Sequence, residues 1–182
     1  MANISQSKTV NIIGGGIAGC EAAYQLAIRG IKVRLFEMRP TQMTPAHKSG
    51  NLAELVCSNT FKSLSAHAAP GIFKSELALL GSGLLHCAPK AQVPAGEALA
   101  VDREVESLLN STGNIERISM RVSSAKELPE AFCTIIATGP LTQGPLADFI
   151  KSLSGGFGLY FYDAIAPVID ASSIDRSIVF AA

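Results

Sequence analysis

Three groups of residues in this chain have types and spacings suited to chemistry. The first is Gly14-Gly15-Gly16-Ile17-Ala18-Gly19, a G-x-G-x-x-G run. In such a run Gly14 permits a tight turn, Gly16 lets the backbone approach a pyrophosphate, and Gly19 allows the following helix to pack closely. The second is Glu37, placed where an acidic side chain accepts the ribose hydroxyls of a dinucleotide and disfavours a 2′-phosphate. The third is Cys57, in Leu55-Val56-Cys57-Ser58-Asn59, with Lys48, Lys62 and Lys74 in the wider neighbourhood. Nearby cations would lower the pKa of that thiol and make it a nucleophile. A buried, unreactive cysteine is the competing reading.

These residues need elements to hold them. Val10-Asn11-Ile12-Ile13 is a β-rich apolar run that leads directly into the glycine turn, and a helical stretch follows to about Gly30. Ala22 and Leu26, and Ala23 and Ala27, fall at i,i+4 and give a small-residue face able to lie close to a sheet; Gly30 supplies the stop. Ile31 to Glu37 is the second strand, with Ile31, Val33 and Leu35 alternating with Lys32 and Arg34. Strand, glycine turn, helix and strand form the context in which the fingerprint is meaningful. Residues 41–51 are rich in Thr, Pro, Ser and Gly and read as a loop. Phe132-Cys133-Thr134-Ile135-Ile136, ending in Ala137-Thr138-Gly139, is a further buried-strand run far beyond Glu37. A plain NAD-binding domain continues sooner with alternating strands and helices. The layout resembles two-motif FAD enzymes, which carry an insertion after the second strand and an Ala-Thr-Gly turn where the chain returns to the sheet. That resemblance implies FAD rather than NAD as the tightly held cofactor. The expected fold class is α/β, a Rossmann-like FAD-binding domain of the two-motif flavoprotein type with an inserted region. Its expected divisions are 1–40 for the first βαβ unit and 41–130 for an inserted substrate- and cysteine-bearing region. Residues 131–182 would return to the FAD-binding sheet and begin a second region that the chain end cuts off.

At 182 residues and 19.0 kDa there is room for about one ordinary domain with a sizeable core. Fifteen Lys+Arg balance fifteen Asp+Glu, 48% of residues are hydrophobic and 16% charged, which excludes a disordered chain, a polybasic tail and an acidic tail. Residues 1–62 hold seven Lys/Arg and three Asp/Glu, residues 63–182 eight and twelve; a solvated surface accounts for a difference of this size. The polar opening lacks the apolar core of a secretory signal, and no window approaches roughly eighteen apolar residues, so no membrane association is expected. Cys20, Cys57, Cys87 and Cys133 are widely spread without C-x-x-C or zinc spacing. Reduced thiols and a cytoplasmic location follow as expectations. His47, His67 and His86 have no carboxylate or second histidine at metal spacing and read as surface or loop residues.

Blocks along nearly the whole chain resemble the N-terminal part of the FAD- and folate-dependent tRNA (uracil-5-)-methyltransferases, the TrmFO family. They are Gly14 to Gly19, Glu37-Met38-Arg39-Pro40, Thr44-Pro45-Ala46-His47, Leu52 to Asn59, Val93-Pro94-Ala95-Gly96, Ala98 to Arg103, Ala137 to Thr142 and Leu159 to Ala164. The nucleotide fingerprint is common to many flavoproteins, whereas the Leu-Val-Cys-Ser-Asn and Tyr-Phe-Tyr-Asp-Ala blocks are more specific. The resemblance implies an enzyme in which methylenetetrahydrofolate supplies a one-carbon unit that passes through reduced FAD to C5 of a T-loop uridine in tRNA, with NAD(P)H as reductant. It implies FAD contacts from Gly14, Gly15, Gly16, Ile17, Ala18, Gly19, Glu37, Arg39, Thr138 and Gly139, and no metal. Uracil C5 is a poor nucleophile until a thiolate adds at C6. Family enzymes keep two cysteines near the flavin, and Cys57 matches the first, with its role open between attacking thiolate and proton-transfer partner.

The chain also departs from that family. Family members are more than twice as long, and the apolar run Ser177 to Ala182 ends abruptly, so truncation at the C-terminus is expected, with the second cysteine in the part beyond. Between Asp102-Arg103 and Asn114-Ile115-Glu116 the chain is shorter than the family's helical segment. Asp102-Arg103 reads as a cofactor or substrate contact or as a structural pair, and Tyr160, Phe161 and Tyr162 as stacking residues or strand core. The alternative functions are an inactive FAD-binding remnant and a generic flavin-dependent oxidoreductase, the latter disfavoured by the cysteine block.

Overall fold

A computed structural model of the chain describes residues 8–45, 47, 49–54, 60–63, 65–87, 92–93, 98–101 and 106–155. Alternation along two apolar strands sets the architecture. In β1 (Thr9–Ile13) Val10 and Ile12 face one way and Asn11 and Ile13 the other. β2 (Lys32–Glu37) repeats the scheme, with Val33 and Leu35 opposed to Arg34 and Phe36. The two strands are parallel, in register from Thr9 opposite Lys32 to Ile13 opposite Phe36, and parallel neighbours require a crossover. That crossover is α1 (Ile17–Ala27), whose Ala23 and Ala27 are buried while Ala22 and Leu26 pack half-buried beside them. Small side chains on this face bring the helix close to the strands.

Between β2 and the next strand of this sheet lie β3 (Thr60–Ser63), α2 (Ala69–Leu79), α3 (Gly83–Cys87), β4 (Gln92–Val93), β5 (Ala98–Val101) and α4 (Glu106–Asn110). The three short strands form a separate antiparallel sheet in the order β3-β5-β4. The Glu21 carboxylate ties α3 to α1 by accepting from the N–H groups of Gly83 and Leu84 at 3.1 and 3.0 Å and from Ser82 Oγ at 3.0 Å. β6 (Ile115–Ser119) then pairs with β2, and β7 (Cys133–Ile136) with β1, giving a four-stranded parallel sheet in the order β6-β2-β1-β7. The fold is α/β and Rossmann-like. β6 falls inside the 41–130 stretch expected to be an insertion, yet it belongs to this sheet. Only Ile115 and Ile118 are apolar in it and both are half-buried, so no continuous apolar run marks the strand.

Each face of the sheet carries its own core. On one side Val10, Ile12, Val33 and Leu35 meet Cys20 and Ala23 of α1, Leu84 of α3, Leu109 of α4, and the loop residues Leu52 and Ala53. On the other side Ile13 and Phe36 meet Val122 and α5 (Pro145–Leu153), which presents Leu146, Phe149 and Ile150 at i, i+3 and i+4. Ile12 and Leu35 are fully buried, and each such side chain stabilises the fold by about 1.5–3 kcal/mol. On the second face Asn11 Nδ2 donates to the Pro129 carbonyl at 2.8 Å, tying the approach to β7 onto β1. Among the described residues no helix is long and apolar enough to cross a membrane.

Candidate functional site

The sheet order reverses at β1: the chain passes from β1 to β2 and β6 on one side, and returns to β7 on the other. In open parallel sheets the crevice at the carboxyl ends of the strands, at such a switch point, is where ligands bind. Gly14 follows β1 there and Ala137-Thr138-Gly139 follow β7. Gly14 takes φ 102, and a Cβ on it would stand 2.6 Å from the Ala137 carbonyl oxygen. A Cβ on Gly19 would overlap the Gly14 carbonyl oxygen, so α1 begins as near to the turn as its backbone allows. Glycine is required by contact at both positions, and at Gly14 by conformation as well.

The N-terminus of α1 points out of this turn. Gly16 caps it with no side-chain hydrogen bond, and no acidic residue stands in its first turn. The first N–H groups of a helix lack intrahelical partners, and with the helix dipole they favour an anion. Ile17 and Ala18 are exposed, Gly15 and Gly19 are buried, and a Cβ on Gly16 would meet nothing within 4 Å. The cradle is open where a pyrophosphate would lie, so the residues present fit a nucleotide cofactor.

Glu37 ends β2 beside the cradle. Its Oε2 accepts from the Gly15 N–H at 2.7 Å and from Arg39 Nη2 at 3.2 Å, while Oε1 accepts from Arg39 N at 3.0 Å and Nε at 2.9 Å. Burial alone would raise its pKa, but the hydrogen bonds and charge of Arg39 and the Gly15 N–H outweigh burial and hold the carboxyl below the ordinary carboxylate value. Four donors occupy the four lone-pair positions of this carboxylate. A ribose hydroxyl at Glu37 would therefore join or replace one of these bonds. Arg39, which the family resemblance places among the cofactor contacts, is only 1% exposed and has its guanidinium between Glu37 and Glu54. It bears on the cradle through Glu37.

The turn after β7 closes on itself. Thr138 Oγ1 lies 2.6 Å from Thr142 Oγ1, which donates to the Gly139 carbonyl at 2.7 Å; Thr138 is half-buried and Gly139 exposed. The structure thus brings Gly14–Gly19, Glu37, Thr138 and Gly139 to one edge of the sheet, with Arg39 behind Glu37. Cys57, Lys48, Asp102-Arg103, Tyr160-Phe161-Tyr162 and Ser177 to Ala182 lie outside the described residues. Another cysteine, Cys20, sits directly under the glycine turn. It is fully buried, its Sγ donates to the Gly15 carbonyl at 3.2 Å, and burial pushes its pKa up to about 12. A thiol in that state is inert. His47 Nδ1 lies 2.6 Å from Thr44 Oγ1, and burial followed by the Arg39 charge lowers its pKa. Among the described residues no group of His, Cys, Asp and Glu is arranged to hold a metal. Sequence reasoning gave no role to Ser49, Leu52, Ala53 and Glu54, in a loop without periodicity: Leu52 and Ala53 pack against the turn, and Ser49 and Glu54 bond to one another beside Arg39.

The chain is 49% identical over 177 residues to methylenetetrahydrofolate--tRNA-(uracil-5-)-methyltransferase TrmFO of Syntrophomonas wolfei, covering 96% of this chain and 41% of the relative. It is 51% identical to the Solibacter usitatus protein of the same name, over 96% of this chain and 40% of the relative, and 50% identical to that of Aquifex aeolicus, over 93% and 39%. The chain thus spans about two fifths of the length of these relatives. Residues 9–182 match the family model described as glucose inhibited division protein A, a stretch that begins at β1 and takes in every element of the parallel sheet and its glycine turn. On that match the chain belongs to the glucose inhibited division protein A family.

Proposed function

We propose that this chain is the dinucleotide-binding portion of a methylenetetrahydrofolate--tRNA-(uracil-5-)-methyltransferase that holds FAD at the glycine turn. The observation that carries the reading is the 49–51% identity, over 93–96% of the chain, to relatives bearing that name. The open cradle at the switch point supports it independently.

In this reading the N–H groups at the start of α1 bind the pyrophosphate, with Gly14, Gly15, Gly16, Ile17, Ala18 and Gly19 forming the wall. Glu37 accepts the ribose hydroxyls, Arg39 holds Glu37, and Thr138 and Gly139 border the crevice on the β7 side. FAD, when bound, supplies the redox and one-carbon-carrying chemistry, with methylenetetrahydrofolate and NAD(P)H as co-substrates. Cys57 serves the uracil ring of a tRNA T-loop, as the thiolate that adds to C6 or as a proton-transfer group. The cytoplasm, where thiols stay reduced, is the compartment that suits it.

The test has two arms. The purified chain is incubated with FAD, desalted and examined by visible spectroscopy; weak retention is expected, because the chain spans about two fifths of its relatives' length and lacks closing contacts of the site, and the absence of flavin bands refutes FAD binding by this portion alone. In the Aquifex aeolicus relative, Cys→Ala at the position matching Cys57 is expected to abolish methyl transfer to tRNA, and near-normal turnover removes Cys57 from the reaction.

A further inference from the structure

Glu54 lies in the block Leu52 to Asn59 but has no role assigned to it there, yet Arg39 and Ser49 of the 49–54 loop meet at it. It is 5% exposed, and its Oε2 accepts from Arg39 Nη1 at 3.3 Å, from the Ser49 N–H at 3.1 Å and from Ser49 Oγ at 3.0 Å. Arg39 thereby spans two buried carboxylates, with Nε and Nη2 on Glu37 and Nη1 on Glu54. The same loop is docked on the nucleotide turn: the Ala53 N–H donates to the Gly15 carbonyl at 2.8 Å, and Leu52 fills the space a Gly15 Cβ would need. Ala53 takes φ 55, a conformation that alanine adopts when its surroundings hold it there. From β6, Arg117 Nη2 donates to the carbonyls of Arg39 at 3.3 Å and Gly50 at 2.7 Å, fixing the loop from the opposite side.

We propose that Glu54, held by Ser49, is a positioning residue of the dinucleotide site: it fixes Arg39, and through Arg39 keeps Glu37 turned toward the ribose of a bound nucleotide. The inference rests on the reading of Glu37 as the ribose acceptor. A guanidinium is a rigid fork on a long stem, and its paired bonds to a carboxylate are directional. With Glu54 as a second anchor the stem is confined to one arrangement. Without it Arg39 regains rotamer freedom, and the carboxylate it grips loses its fixed orientation.

The test is a calorimetric titration of the 182-residue chain with ADP and with 2′-deoxy-ADP. One charge-assisted hydrogen bond from the 2′-hydroxyl corresponds to roughly tenfold tighter binding of ADP. In Glu54→Ala that ratio is expected to fall to within about twofold of unity. Glu54→Gln, which keeps an acceptor but loses the charge, is expected to be intermediate, at about threefold. A merely structural loss would weaken both nucleotides alike and leave the ratio intact, and that result overturns the inference. If Glu54→Ala does not fold, the Glu54→Gln ratio decides: a value equal to the parent's overturns the proposal. A parent chain that binds ADP and 2′-deoxy-ADP equally refutes the ribose reading of Glu37, and a parent that binds neither refutes the dinucleotide site, each taking this inference with it.

Discussion

Replacing Arg39 by methionine isolates the energetics of the buried charge cluster. Methionine fills much of the arginine stem's volume but removes the guanidinium, which leaves Glu37 at 6% exposure and Glu54 at 5% without their shared cation. Breaking a buried pair by removing one partner costs about 3–5 kcal/mol, against a total stability of about 5–15 kcal/mol for a domain. Arg39→Met should therefore lose about a fifth or more of the folding free energy at pH 7.5, measured by urea unfolding followed by circular dichroism. The pH dependence gives the sign. In the parent, Glu37 has a folded pKa below 4.5, so its stabilising contribution is present above that value and lost as pH falls through the lowered folded pKa. In the variant the side-chain hydrogen bond and the charge of Arg39 are gone while the N–H groups of Gly15 and residue 39 still donate, so the Glu37 pKa rises relative to the parent and protonation relieves the cost as the solution becomes acid. The gap between parent and variant should narrow from pH 7.5 to pH 4.5. A gap below about 1 kcal/mol at pH 7.5, or one that widens with acidity, would refute the assignment of the cluster as a buried, mutually compensated unit.

Three further outcomes follow from the same geometry. Gly19→Ala sets a methyl group into the Gly14 carbonyl oxygen and should cost about 1–3 kcal/mol in urea unfolding together with a loss of ADP affinity; an unchanged affinity would show that α1 need not approach the turn so closely. Iodoacetamide at pH 8 should modify exposed Cys133 and spare Cys20, whose pKa of about 12 leaves almost no thiolate; mass spectrometry of native protein that finds Cys20 alkylated contradicts this. An NMR titration should place the His47 midpoint below 6.5, so that folding stability declines as pH falls from 6.5 toward that lower value, because the unfolded chain takes up the proton first. A midpoint above 6.5 would mean that Glu37 and Glu54 outweigh burial and Arg39.

The unit that carries the cradle was legible because each of its pieces has a local cause. Val10 to Ile13 is apolar at three of its four positions, Gly14 to Gly19 is a contiguous motif, and Ile31 to Leu35 alternates with period 2, so β1, α1 and β2 follow from neighbours in sequence. β6 was not legible as a member of the sheet, since an edge strand with half-buried Ile115 and Ile118 needs less apolar sequence than a central one. Its place depends on pairing with β2 across a long intervening segment, which no local pattern encodes. The loop cluster escaped for a related reason: Ser49, Glu54 and Arg39 acquire meaning only when folding brings the loop back to the turn.

The buried cluster also bears on what selection at this site acts upon. Replacing a buried ion triad by apolar residues of similar volume is often neutral or favourable for stability, so stability alone gives weak grounds for keeping Glu37, Arg39 and Glu54 charged. An apolar replacement would retain the packing of Leu52 and Ala53 on the turn but remove the acceptor from the end of β2. The Gly15 N–H, which now donates to Glu37 at 2.7 Å, would lose its partner in a buried position. The charges thus tie a recognition group to the backbone of the cradle, and Arg39 keeps that group ionised despite burial. On this reasoning, Glu37→Gln combined with Arg39→Met and Glu54→Gln should recover most of the stability lost in Arg39→Met alone while failing to restore discrimination between ADP and 2′-deoxy-ADP. Recovery of both together would show that the carboxylate at position 37 is not the group that reads the ribose.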